Sequence, residues 1–191
     1  MVLLSEAGPA DQTAADTDGL RELFRRLAGG DAGALEPLYD SVADRLYGLA
    51  LWRSGSPDEA AEVVQEVFVR LAERPDRLAA VADPLRWLLS VAHNAAVDRG
   101  RRRQVRAAAP LDEASFLAAP EEDPSRPLDA ARASRLLAQL PAPQRDAIYL
   151  HLYAERTFAQ IGDITGVPTF TAASRYRLGL ARLRRLLGRR P

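Results

Sequence analysis

Two blocks of arginine are the groups in this sequence best able to do chemistry. Residues 99–106 carry Arg99, Arg101, Arg102, Arg103 and Arg106 with no acid, and residues 171–191 carry seven arginines with no acid. A planar guanidinium fork matches phosphate oxygens and guanine edges, so two such blocks look like a chain that meets a polyanion at two places. Between them, residues 107–130 hold Asp112, Glu113, Glu121, Glu122, Asp123 and Asp129 against Arg126 alone. Residues 1–18 hold Glu6, Asp11, Asp16 and Asp18 with no base. The zero net charge of the 191 residues therefore hides a strong alternation of sign along the chain. All 26 basic residues are arginine, which reads as coding bias and carries no function.

Other chemistries find little support. The chain has no cysteine, which removes disulfide scaffolds, thiolate zinc sites, iron–sulfur clusters and cysteine nucleophiles together. Its two histidines, His93 and His151, fall in different parts of the chain, and no carboxylate cluster has metal-ligand spacing. There is no glycine-rich phosphate loop and no Gly-x-Ser-x-Gly elbow. The expectation is a protein that is not an enzyme and uses neither metal nor cofactor. No apolar run approaches the roughly 20 residues that span a bilayer, and Met1-Val-Leu-Leu-Ser-Glu-Ala lacks the basic start of a secretory signal. A soluble, cytoplasmic chain without membrane insertion is expected.

The elements that must position the arginines all read as helices. Ser56-Pro57-Asp58-Glu59 has an N-cap, a proline at the first helical position and a glutamate that would complete a capping box. Ala60, Val63, Val64, Val67, Phe68 and Leu71 then share one face, while Glu59, Glu62, Glu66 and Arg70 point away. Asp83-Pro84 opens a second helix whose stripe is Leu85, Leu88, Leu89, Ala92 and Ala96, running into the first arginine block. Upstream, Asp31 caps a segment carrying Leu35, Leu38, Tyr39, Val42, Leu46, Leu49 and Ala50, kinked or restarted at Pro37, and a shorter stretch covers Leu20–Leu27. Four prolines and many acids make residues 107–129 a linker. Beyond it come a helix around Ala130–Leu140, one through Ile148–Leu152, a short helix Phe158–Ile164 capped by Thr157 and Gln160, and a long one from about Thr169. A short helix, a turn with Gly166 and a longer basic helix make a helix-turn-helix, whose second helix enters a major groove. The fold expected is all-α: an acidic tail over 1–19 without fixed structure, a helical domain over 20–106, the 107–129 linker, and a helix-turn-helix domain over 130–191.

Three stretches resemble the extracytoplasmic-function (group IV) sigma factors of bacterial RNA polymerase, of the sigma-70 family. Glu62-Val-Val-Gln-Glu-Val-Phe-Val-Arg-Leu71 resembles the family's "DLVQEVFLRL" helix. Trp87-Leu-Leu-Ser-Val-Ala-His-Asn-Ala-Ala-Val-Asp98 and the arginines after it resemble "WLxxIAxNxxxDxxRR". Leu140-Pro-Ala-Pro-Gln-Arg145, with Phe158–Pro168 and Ser174-Arg175, resembles "LPxxxR…YxEIAxxLGVPxGTVKSR". The likeness covers about residues 20–106 and 130–188, in the family's order.

The resemblance implies a transcription initiation factor that binds core polymerase, directs it to promoters and assists melting of the minus-ten element. It implies that Glu62, Gln65, Glu66 and Arg70 dock on the β′ clamp helices. It implies that Trp87, Asn94, Arg99, Arg101, Arg102 and Arg103 meet minus-ten DNA, although the period of Trp87 points to the core. Thr169, Thr171, Ser174, Arg175 and Arg177 would read the minus-thirty-five element, and the same domain would meet the β-flap. An anti-sigma factor is a further implied partner. The sequence departs from the family where DNA is read: Phe170 stands where Gly is common, Ala172 where Val packs, Ala173 where Lys often contacts DNA, and Leu178 where Arg is frequent. His93 replaces an Arg of the minus-ten helix. Two other readings are a sigma mimic that sequesters an anti-sigma factor and a free-standing helix-turn-helix regulator; the second leaves the first two motifs unexplained.

Overall fold

The computed structural model describes residues 9–108 and 136–188, and the helices begin where local chemistry starts them. Helix α1 spans Pro9–Ala28. The stretch expected over Leu20–Leu27 is thus the second half of a longer helix, and residues 9–19, expected as an unstructured tail, are helical. The sequence sign of the start is Pro9 at the first helical position. Gly30, at φ 86°, ends the turn after it. Asp31 then caps a 3-10 turn, Ala32–Ala34, by accepting from Gly33 N–H, and α2 follows over Leu35–Ser54. Pro37 falls in the first turn of α2, where no intrahelical N–H is needed, so the helix runs through it without a restart.

Helix α3, Pro57–Glu73, starts at Ser56, whose hydroxyl accepts from Glu59 N–H at 3.3 Å. Only half of the expected capping box forms here. The Glu59 carboxylate turns instead to Arg103, and Ser56 N–H donates to Ser54 Oγ. A 3-10 segment, Pro75–Ala80, buries Leu78 and leads to α4, Pro84–Ala108, capped by Asp83 through Arg86 N–H at 2.9 Å. Residues 107 and 108 end α4; the rest of the expected linker lies outside the described residues, as do residues 130–135 of the helix expected around Ala130–Leu140. Residues 136–138 are helical.

The second unit comprises α5 (Ala142–Leu152), α6 (Phe158–Thr165) and α7 (Thr169–Gly188). Thr157 and Gln160 form the full capping box at the start of α6, and Gly166, at φ 68°, supplies the left-handed turn into α7. Close packing needs Gly162: a Cβ there would lie 2.6 Å from the Val167 carbonyl oxygen. Residues Asp146–Leu150 of α5 are buried on every side, as a helix in the middle of a core must be.

That burial comes from a shared core. The apolar stripes of α2, α3 and α4 meet as expected, with Leu38, Leu46, Leu49, Val63, Val67, Leu71, Leu88 and Leu89 almost fully covered. Tyr149, Leu150, Ala154, Ile161, Ile164 and Ala172 of the second unit continue the same cluster. Helix α5 lies on α2, and α6 lies on α4, so the two helical units meet along one seam.

Candidate functional site

The outward stripe of α3 holds the residues expected to meet a partner. Gln65 and Arg70 are exposed there, and Glu66 is half-buried. Glu62, exposed as the periodicity of α3 suggested, and half-buried Glu66 are both already paired with arginines. Arg99 of α4 pairs with Glu62 and lies 3.2 Å from Glu66, Arg103 lies 2.8 Å from Glu59, and Arg70 reaches Glu66 at 2.5 Å. Helices α3 and α4 pack side by side, so an acidic row at one-turn spacing on α3 faces a basic row at the same spacing on α4. Two sets of residues expected to serve different partners are thus brought together and neutralise each other. Each such partly exposed pair contributes about 0–1 kcal/mol, so a stronger partner can exchange in.

Beside this row, an apolar groove of about 660 Å³ runs between α2 and α3, lined by Tyr39, Tyr47, Val64, Gln65, Phe68 and Val69. Tyr39 and Val69 are each about half exposed, and the Tyr39 ring packs 5.1 Å from that of Phe68. Sequence reasoning placed Phe68 in the core and missed the groove. The signal available was an aromatic at the margin of the α3 stripe, one turn from Val64.

Along α4, Asn94, Arg101 and Arg102 are exposed, and among the described residues neither arginine has an ion pair. Trp87 packs edge-on against Phe24 with ring centroids 6.0 Å apart, at the margin of the core, as its period suggests. The ring is only partly buried, its covered side turned toward Phe24 of α1.

Helix α7 presents Thr169 and Arg177 exposed and Thr171, Ser174 and Arg175 part-exposed, on a helix with no acid from Thr169 to Gly188. Arg175 does not stand far from the residues of α4. With Asn94 and Arg101 it lines one cleft of about 520 Å³ at the seam, together with Arg53, His93, Asp98, Pro143, Asp146 and Thr165.

The residues that hold the seam shut were not singled out from sequence. Asp146 of α5, 2% exposed, accepts from Arg53 of α2 and faces His93 Nε2 of α4 at 3.3 Å. Arg145 donates to the Arg53 carbonyl at 2.7 Å, and burial lowers its guanidinium pKa from the usual arginine range. Tyr149 crosses from α5 to donate to the Arg45 carbonyl at 3.0 Å and packs against Trp52, its ring filling the space that a side chain at Gly48 would need. Burial pushes its phenol up to about 12. Polar outliers inside the apolar stretch Asp146–Leu150 were the only sequence hint. His93 is thus a seam residue, and His151 is a packing residue, stacked 4.5 Å from Phe158 with Nδ1 donating to the Arg156 carbonyl.

Among the described residues no group of histidines and carboxylates could hold a metal, and no helix is long and apolar enough to cross a membrane.

Comparison with known proteins divides the chain as the helices do. The family model for sigma-70 region 2 matches residues 38–106, and that for sigma-70 region 4 matches residues 136–185. An ECF RNA polymerase sigma factor SigK from Mycolicibacterium vanbaalenii is 34% identical over 185 residues, covering 90% of this chain and 91% of that protein. The SigK of Mycobacterium tuberculosis H37Rv is 32% identical over 179 residues, covering 88% and 93%. Among solved structures, the sigma factor RpoE of Bartonella quintana, in complex with the anti-sigma factor NepR, superposes with a TM-score of 0.65 at 23% identity, over 82% of this chain and 98% of that one. CnrH in complex with the cytosolic domain of CnrY gives the same score at 21% identity, over 89% and 97%.

Proposed function

The chain belongs to the extracytoplasmic-function sigma factors of the sigma-70 family, and from that premise we propose which of its surfaces serve initiation. It is a transcription initiation factor that directs RNA polymerase to promoters. Its catalytic chemistry is the polymerase's, and the chain itself acts by binding.

The α2–α3 groove, with Gln65 on its lining and Glu62, Glu66 and Arg70 along its edge, takes the β′ clamp helices. An apolar trough beside a row of exchangeable charges suits an amphipathic helical partner. Asn94, Arg101 and Arg102 meet the minus-ten strand, with Arg99 and Arg103 joining once released from α3. Thr169, Thr171, Ser174, Arg175 and Arg177 present α7 to the minus-thirty-five duplex, and the second unit also meets the β-flap. The structural neighbours carry anti-sigma factors, and a similar partner is proposed here.

The single observation carrying this reading is the seam cleft. Asn94 and Arg101 of one unit and Arg175 of the other line it together, so they reach separate elements of one duplex only after the units part. The packed arrangement is accordingly the form of the free chain, and docking on polymerase opens it. The test is binding of the full chain to purified core polymerase, with Gln65→Ala and Phe68→Ala variants. Both variants are expected to weaken the complex at least tenfold. A complex that forms with undiminished affinity in both would remove the groove from the account.

A further inference from the structure

The outward face of α7 is apolar at two of the four positions where the sequence departs from the family pattern, Phe170 and Leu178. At 100° per residue, the side of α7 opposite buried Ala172 and Gly179 carries Phe170, Ser174, Arg177 and Leu178. Phe170 is 75% exposed and Leu178 is 56% exposed. From sequence Leu178 reads as a lost cationic contact and Phe170 as a bulky residue at a glycine position; in the fold they lie about two turns apart on one stripe, with Ser174 midway between them. Phe170 is the second residue of the helix, at the end that goes deepest into a groove.

An exposed phenylalanine on such a helix needs an apolar partner, and the surroundings select which kind. Helix α7 carries Arg175, Arg177, Arg182, Arg184 and Arg185 with no acid. A face flanked only by cations and hydroxyls suits a polyanion that itself displays small apolar groups. Duplex DNA displays one such group on its base edges, the thymine 5-methyl in the major groove.

We infer that Phe170 is a specificity-determining residue that reads thymine methyl groups of the minus-thirty-five element. The inference rests on the proposed role of α7. Phe170 packs on the methyl of one thymine or of two adjacent ones, Ser174 and Arg175 hydrogen-bond to neighbouring edges or phosphates, and Leu178 covers the groove wall about 12 Å further along the helix. Promoter choice by this chain then depends on a contact that is insensitive to salt, while the arginines supply the salt-dependent affinity.

The experiment uses holoenzyme and a promoter selected from a library randomised upstream of the start. Each thymine of the upstream element is replaced in turn by deoxyuracil, which removes only the methyl. At one or two positions the wild-type holoenzyme is expected to lose about fourfold in affinity per methyl, the worth of one buried methyl group. Phe170→Ala is expected to bind the intact promoter with that deficit already present, to ignore the deoxyuracil change, and to keep the salt slope. Phe170→Leu retains part of the sensitivity. The exposure of Phe170 makes both variants fold, and unchanged melting checks this. Neutral deoxyuracil at every position, or undiminished sensitivity in Phe170→Ala, overturns the inference. Loss of polymerase or anti-sigma binding in Phe170→Ala, with neutral deoxyuracil, would assign the residue to a protein contact and overturn it as well. Arg175→Ala separates the two levels: if it changes upstream affinity while Phe170→Ala does not, only this inference fails, and if neither does, the placement of α7 fails with it.

Discussion

Replacing Gly48 by alanine should part the two helical units without unfolding either. A Cβ at Gly48 would lie 2.7 Å and 2.9 Å from ring carbons of Tyr149 and closer still to its hydroxyl, so the ring has to leave its place. The hydrogen bond to the Arg45 carbonyl is lost, at about 1 kcal/mol. Contacts of the ring with Trp52 and Tyr153 go with it, at about 1 kcal/mol, and re-exposing part of the ring costs roughly another 1 kcal/mol. Docking of α5 on α2 therefore weakens by about 3 kcal/mol, roughly 150-fold in the ratio of closed to open forms. Alanine also favours the interior of α2 over glycine by about 1 kcal/mol, but this gain is present in both forms and leaves their ratio untouched. Because the chain has no cysteine, two can be introduced at exposed Glu73 and Leu187 and labelled for distance measurement. The Gly48→Ala chain is expected to show longer and broader distances and a reduced near-ultraviolet signal from the Trp52–Tyr149–Tyr153 cluster, with unchanged helix content. Its holoenzyme should form at lower polymerase concentration. An unaltered distance distribution would refute the reasoning, as would loss of helix along with the seam.

Burial raises the Tyr149 phenol from near 10 to about 12, so the folded chain keeps that proton where the unfolded chain releases it. Stability is whole below pH 10 and falls as pH rises toward 12, on the order of 2 kcal/mol, and melting against pH should show a slope that Tyr149→Phe removes. Glu62→Gln with Glu66→Gln should change stability by less than about 1 kcal/mol, since the pairs are part-exposed, while polymerase affinity measured by titration falls at least tenfold. Arg101→Ala and Arg102→Ala should each lower the slope of log affinity against log salt for holoenzyme on promoter DNA by about one. Arg99→Ala should lower it less, because part of that charge stays with Glu62 and Glu66.

What was legible in the sequence was local. Ser56, Asp83 and Thr157 announce helix starts because a cap acts within three residues, and the α3 stripe from Ala60 to Leu71 announces its buried face through its period alone. Gly166 marks the turn because few residues take its backbone angle. Pairings between distant helices carry no such signal. Arg99 meets Glu62 across 37 positions and Arg53 meets Asp146 across 93, and only the packing of α3 on α4 and of α5 on α2 brings them within reach. The same packing turned Glu59 away from its capping box and placed Trp87 on Phe24. Phe170 and Leu178 were visible as departures, but their shared outward face depends on which side of α7 the core takes.

The central claim is that this chain gives core RNA polymerase a choice of promoters that it lacks alone. Core polymerase, with and without the chain, is presented with a library of randomised upstream DNA, and transcript start sites are mapped. With the chain present, starts should concentrate on templates sharing two separated upstream elements, and Arg101→Ala and Arg175→Ala should relax one element each. Starts that are the same with and without the chain would contradict the account.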